Sequence, residues 1–405
     1  MPKTVGENTT FLVTHAPLIL QVIRPPVEHY PPSINQSNIL KESGFRVSLV
    51  QESRLSGPAV DVGLSSGIER FFISTGNTCA FLIQRILRVL QFRRGVRQLV
   101  RKLRPDIVLA YDAEAAFAVG DTAARSIAPL VWHFHEVPED QRKGWTVKFA
   151  NRYVWRNAKK ANLIVFPDPG RADVFVRDAG VESATVSIVA NCPRSVTVPP
   201  GPTLRQVLAN RISPGAGVVL YHGQIGPDHA LETAVRSMPK WPPDAVFVAK
   251  GWVKREYAAH LNKLAESAGV AHRVILFDAG FQSTEEHYAF VAGADVGWTV
   301  LEPVSNAWKY SALASNKRFE CMALGVPQIA DNGAGLAELI ERNECGVCIP
   351  HDSIDAAAVA VNRLLADEKL RKQMSARARA LHLRRYNYDE QFKPVLNSLK
   401  FMVQP

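Results

Sequence analysis

The chain has 405 residues, of which 47% are hydrophobic, 21% charged and 8% aromatic. That is apolar material for two sizeable cores, and it excludes a wholly disordered, collagen-like or disulfide-stapled chain. Lys and Arg outnumber Asp and Glu by 48 to 38. Residues 1–200 carry 25 basic against 17 acidic residues, so the first half suits an anionic partner and the second is nearly balanced.

Short apolar runs alternate with helical stretches along the chain. Strands are expected at Phe11–Val13, Arg46–Val50, Ile107–Ala110, Leu130–Phe134, Leu163–Phe166 and Val186–Val189. A second series follows at Val218–Tyr221, Ala245–Ala249, Val274–Phe277, Val296–Thr299 and Val326–Ala330. These runs lack polar alternation, the pattern of strands buried on both faces, and helices such as Glu256–Ala268 and Asp355–Leu365 lie between them. The fold class is therefore α/β, with two doubly wound parallel sheets. Pro193–Gly217 holds five prolines and three glycines and reads as an interdomain connection. The expected division is a first domain at 1–198, a linker at 199–216 and a second domain at 217–405, whose terminal helix packs back on the first. Ligands of such a pair belong in the cleft at the carboxyl ends of the strands.

Arg85, Arg88, Arg93, Arg94, Arg97 and Arg101 are interleaved with Ile86, Leu87, Leu90, Val96 and Val100, a basic amphipathic helix that Gly95 is expected to bend. Arg142, Lys143, Trp145, Lys148, Arg152, Trp155, Arg156, Lys159 and Lys160 form a second basic, aromatic stretch. Such surfaces suit anionic lipid headgroups; the plain alternative is a solvated helix whose apolar side covers the sheet. No nucleic-acid motif accompanies these charges, and nucleic acid is not expected as a partner. The five cysteines are too scattered for a disulfide framework, and Cys345-Gly-Val-Cys348 reads as a turn entering a strand. Neither a basic leader with a cleavage site nor a spanning apolar run is present, so a cytoplasmic location is expected, peripheral on the inner membrane face if the basic surfaces bind lipid.

The most informative segment runs from Ser315 to Ile340. Ser315 or Asn316 can cap a helix that buries Phe319, Met322 and Ala323, Gly325 can end it and Pro327 prevents its continuation. A strand, the turn Asp331–Gly335 and a further helix follow, so free N–H groups at that turn favour a diphosphate. Glu320 lies where a carboxylate can accept hydrogen bonds from ribose hydroxyls. On physical grounds alone this is an anion site beside a carboxylate, or an ordinary strand–helix connection with a surface glutamate.

Lys317-Arg-Phe-Glu320 with Met322-Ala-Leu-Gly325-Val-Pro327 and the glycine turn resembles the nucleotide-sugar segment of family-4 glycosyltransferases (glycosyl transferases group 1). Leu220–Gly226, Val246–Gly251, Val274–Gly280, Ala292–Val300, Gly346–Ile349, Arg104–Asp112, Val131–Glu136, Asn157–Phe166 and Ile188–Asn191 extend the resemblance over most of the chain. It implies the two-domain GT-B fold and a retaining transferase that moves a sugar from a nucleotide-sugar to a glycan or lipid-linked acceptor. Bacterial surface polysaccharide synthesis would be the setting. Donor binding would rest on Gly223, Lys250, Lys317, Glu320, Asn332, Gly333, Ala334 and Gly335, with Glu320 at the ribose. His135 would contact the reacting sugar and Glu136 would orient it. Family members typically need no metal, and no cofactor or metal is expected. The sequence departs from the pattern at Ala312, where the family often has a first glutamate, and at Gln224 and His229, near its basic pair. Tyr30–Gln36 replaces its glycine-rich first loop. Two other readings share the architecture: a sugar-nucleotide epimerase, and a non-catalytic membrane-bound partner in polysaccharide assembly, which Ala312 and the missing basic pair favour.

Overall fold

The computed structural model describes residues 16–404 apart from 54–62, 76–81, 121–127, 140–143, 183–184, 198, 279 and 281. The strand expected at Phe11–Val13, Cys79, Arg142 and Lys143 lie outside the described residues. Seven parallel strands form the first sheet: β1 (Leu18–Val22), β2 (Arg46–Ser53), β3 (Glu69–Ser74), β4 (Ile107–Tyr111), β5 (Leu130–His133), β6 (Leu163–Phe166) and β7 (Val186–Ile188). Their order is β3-β2-β1-β4-β5-β6-β7, so the chain winds outward from β1 in one direction and then in the other. The second sheet holds β8 (Val218–His222), β9 (Val246–Lys250), β10 (Val274–Phe277), β11 (Val296–Thr299), β12 (Gln328–Asp331) and β13 (Gly346–Ile349), in the order β10-β9-β8-β11-β12-β13. Both sheets are doubly wound, and each reverses its strand order at a point that opens a crevice above the carboxyl ends.

Two strands lie outside the expected series. β1 is wholly buried but begins directly after Pro17 and contains Gln21, whose side chain bonds Tyr111 Oη and Ser37 Oγ inside the domain. β3 is an edge strand with alternating exposure, which breaks the continuous pattern.

Eight of the helices frame the cleft or cover the first sheet: α1 (Pro31–Glu42), α2 (Leu82–Leu103), α3 (Asp112–Val119), α4 (Trp145–Asn157), α5 (Pro169–Ala179), α6 (Thr284–Val291), α7 (Asn316–Leu324) and α8 (Tyr388–Met402). Gly95 does not end or interrupt α2; a Cβ there would lie 2.8 Å from the Ile73 side chain, so the glycine permits close packing of helix on strand. Residues 199–216 are also more than a tether. Thr203 caps a short helix, Leu204–Val207, and Leu204, Leu208, Ile212 and Ala216 are buried in the core of the second sheet. α8 crosses back to the first sheet, burying Tyr388, Phe392, Val395 and Leu399 against α1 and β7. Arg194 fixes this return by pairing with Glu42 and Asp389.

Candidate functional site

A cavity of about 780 Å³ lies between the carboxyl ends of the two sheets. From the first domain, β5 runs into Phe134, His135 and Glu136, and α5 brings Arg171. From the second, β8 ends at His222 and Gly223, and the amino end of α7 supplies Ser315, Asn316 and Lys317, with Glu320 one turn further on.

The floor of the second-domain side depends on two glycines. Gly251 follows β9 with φ +147°, and a Cβ there would lie 1.8 Å from the Gly223 carbonyl oxygen; Gly223 is favoured instead by its own φ of +117°. Lys317 reaches under Gly223 with its Nζ 5.1 Å from the Tyr221 ring centroid. Burial, reinforced by neighbouring Arg318, pulls its ammonium down to about 8. Arg318 itself is wholly buried and spent within the protein, on Ser311, Thr299 O and Asp331.

Glu320 Oε2 accepts from His222 Nε2 at 2.8 Å and from His287 Nε2, on α6, at 3.3 Å. Burial alone would raise this carboxyl, but the two histidine hydrogen bonds win and hold it well below the usual carboxylate range. Burial pulls His222 down as well, to about 4, so it is neutral at pH 7. Lys250 Nζ lies 2.6 Å from His287 Nδ1 and over the Phe290 ring, and burial lowers it to about 8. His222, His287 and Glu320 are ligand types for a divalent metal, their ligand atoms within 4.8 Å of one another. The ammonium of Lys250 directs a proton at His287 Nδ1, which leaves the ring's own proton on Nε2 facing Glu320. That arrangement suits hydrogen bonding and opposes ligation through Nε2.

In the first domain His135 is nearly buried and both its ring nitrogens have partners: Asp112 Oδ2 at 3.0 Å from Nδ1, and Ser33 Oγ at 3.2 Å from Nε2. Glu136 is exposed at the rim. Arg171 spans the cleft floor, donating to His135 O in its own domain and to Ala307 O and Tyr310 O in the other. Gly170 beside it is required by approach rather than by φ, since a Cβ would lie 2.2 Å from the Tyr310 ring.

The structure thus brings His135, Glu136, Gly223, Lys317 and Glu320 to one cavity, with Lys250 behind His287. Asn332, Gly333, Ala334 and Gly335 do not line it. Asp331 turns inward to pair with Arg318 and accept from Gly333 N, and Gly335 packs against Ala312, which is buried in the core. From the second domain, the N-terminus of α7, one strand earlier in the chain, faces the cavity. His222, His287, Asp112 and Arg171 were not singled out in the sequence. His222 and Asp112 stand inside segments that carry the resemblance, but no spacing links residues 222, 287 and 320, which the end of β8 and the helices α6 and α7 bring together.

Of the six arginines on α2, Arg88 is consumed by buried Glu52 at 2.9 Å and Arg93 by the Phe117 ring at 4.3 Å, while Arg85, Arg94 and Arg101 are exposed. Leu87 and Leu90 are about half exposed, as are Trp145 and Phe149 on the adjoining α4. Among the described residues no helix is long and apolar enough to cross a membrane.

Two doubly wound domains facing across a ligand-sized cleft define the class of GT-B proteins. The profile described as "Glycosyl transferases group 1" matches residues 207–381, and that described as "Glycosyltransferase Family 4" matches residues 35–192. The chain belongs to this glycosyltransferase family. It is similar to alpha-D-kanosaminyltransferase of Streptomyces kanamyceticus, with 29% identity over 42% of each chain. It also resembles a GDP-mannose-dependent alpha-(1-6)-phosphatidylinositol monomannoside mannosyltransferase of Mycobacterium tuberculosis, with 31% identity over 39% of this chain and 40% of that one. The matches span less than half the length of these relatives. Anabaena HepE in complex with UDP and glucose shares the fold, with a TM-score of 0.71 and 16% identity over 95% of this chain and 99% of that one.

Proposed function

We propose that the protein transfers a sugar, with retention of anomeric configuration, from a nucleoside diphosphate sugar to a glycan or lipid-linked acceptor in bacterial surface polysaccharide synthesis. The observation that carries this reading is the pairing of Lys317 and the α7 N-terminus with Glu320 in one cleft. A cation and free N–H groups suit a diphosphate, and an ionised carboxylate one turn away suits the adjoining ribose. HepE, of the same fold, holds UDP and glucose, and the kanosaminyl- and mannosyltransferase relatives carry sugar-transfer names. His135 and Glu136 then stand on the opposite wall, where the sugar and its acceptor would meet, and binding in the closed cleft supplies orientation and exclusion of water.

The exposed Leu87, Leu90, Trp145 and Phe149, ringed by Arg85, Arg94, Lys148, Arg152 and Arg156, form the face that would meet an anionic membrane carrying such an acceptor. Ala312 packed into the core favours a second reading, a non-catalytic partner that keeps the fold without the reaction.

Thermal stabilisation against UDP-, GDP- and ADP-sugars, with the wild type and Glu320→Ala compared, separates the two. A shift with one base that vanishes in Glu320→Ala supports the donor site; no shift at millimolar donor in a folded protein favours the non-catalytic partner. Product anomers read by NMR then decide retention.

A further inference from the structure

We infer that Asp112 is the positioning residue for His135, and that the chain holds it in a strained backbone conformation to serve that role. The proposal rests on the reading of His135 at the reacting sugar. Asp112 follows directly after β4 and has φ +60°, one of four non-glycine residues with positive φ among the described residues. A side chain is costly there and glycine is the relaxed choice, so an aspartate needs a reason.

The reason is what its carboxylate does. Oδ1 accepts from the His135 backbone N at 2.8 Å, and Oδ2 lies 3.0 Å from His135 Nδ1. One carboxylate therefore fixes both the peptide and the ring of a single residue just beyond the neighbouring strand β5. A carboxylate facing Nδ1 keeps the imidazole proton on that nitrogen, which leaves Nε2 as an acceptor toward Ser33 Oγ. Packing already fixes the plane of the ring, between Tyr30 at 4.9 Å, Tyr111 at 5.6 Å and His133 at 5.2 Å between centroids. Packing cannot choose a tautomer, because the apolar faces are blind to the proton. Asp112 supplies that choice.

Asp112, His135 and Ser33 have the order of an acid–base–nucleophile chain, but Ser33 has no exposed surface. Its hydroxyl closes the chain inside the protein, and the arrangement orients a ring instead of attacking a substrate. Asp112 does not itself line the cavity, so its influence passes through His135.

The test compares wild type, Asp112→Asn and Asp112→Gly by thermal denaturation, by transfer kinetics and by imidazole 15N NMR, with His135 assigned by difference from His135→Gln. In the wild type the His135 proton is expected on Nδ1. Asp112→Asn, which can donate toward that nitrogen, should move it to Nε2 and lower kcat about tenfold or more, with the donor KM within about twofold. Asp112→Gly should lose kcat likewise while its melting temperature holds or rises. An unchanged tautomer in Asp112→Asn, or a kcat loss explained by unfolding in both variants, overturns the proposal. A wild type that transfers no sugar defeats the glycosyltransferase reading instead, and the tautomer comparison still decides whether Asp112 sets the ring.

Discussion

Lys317 is the cation that the cleft offers to a donor. Lys250 is bonded to His287, and Arg318 is buried in ion pairing and carbonyl contacts. Because burial lowers Lys317 to about 8, its charge is present at pH 7 and is lost as the pH rises through that value. Donor affinity measured by calorimetry should therefore fall between pH 7 and 9. Lys317→Met should show the weakened binding at every pH, by about 10- to 100-fold if a charge-assisted contact contributing ~1.5–3 kcal/mol is removed. Glu320 gives the opposite limb. Its folded-state pKa lies below the unfolded one, so its contribution to stability is complete above about pH 4.5 and is lost as acid protonates it. The melting temperature, followed by circular dichroism, should fall less steeply on acidification below about pH 4.5 in Glu320→Gln than in the wild type.

At the scale of elements, α2 and α4 turn one face to the sheet and another to solvent. Phe92, Val96 and Val100 are buried, whereas Leu87, Leu90, Trp145 and Phe149 stand out among exposed basic residues. Sedimentation with vesicles containing anionic phosphatidylglycerol is expected to carry the protein down, and pure phosphatidylcholine is not. Trp145→Ala with Phe149→Ala should abolish most of that binding without lowering the melting temperature, since half-exposed side chains contribute little to the core. The sequence displayed the amphipathic pattern of α2 but not the use of its arginines. Periodicity reports which residues share a face; it does not report that Arg88 folds down onto Glu52 or that Arg93 lies on Phe117. The same limit explains the turn at 332–335. Its glycines are those of an anion loop, but the neighbouring Asp331 is drawn onto Arg318, and the loop packs against the Ala312 core. Most buried parallel strands, by contrast, were legible because nearly all of their residues answer to the same demand for apolar surroundings, Gln21 of β1 being an exception.

At the scale of the whole molecule, the domains meet through Arg171, Gly170 and Asn191, whose side-chain amide donates to Ala314 O. Gly170→Val places a branched side chain where the Tyr310 ring lies, so the cleft should open. Small-angle scattering should show a larger radius of gyration, with each domain's secondary structure retained. Deleting α8 should cost far more, because four buried side chains leave the first core together. At ~1.5–3 kcal/mol for each large apolar residue exposed, the first domain should lose its cooperative unfolding transition in calorimetry.

α8 also sets an order of events during synthesis. The ribosome completes the first sheet at Ile188, long before it reaches Tyr388 and makes the helix that covers α1 and β7. Until then the nascent first domain carries an open apolar seam, and its maturation waits on a segment encoded after the second domain. The second domain, whose sheet and helices are contiguous in the chain, has no such wait.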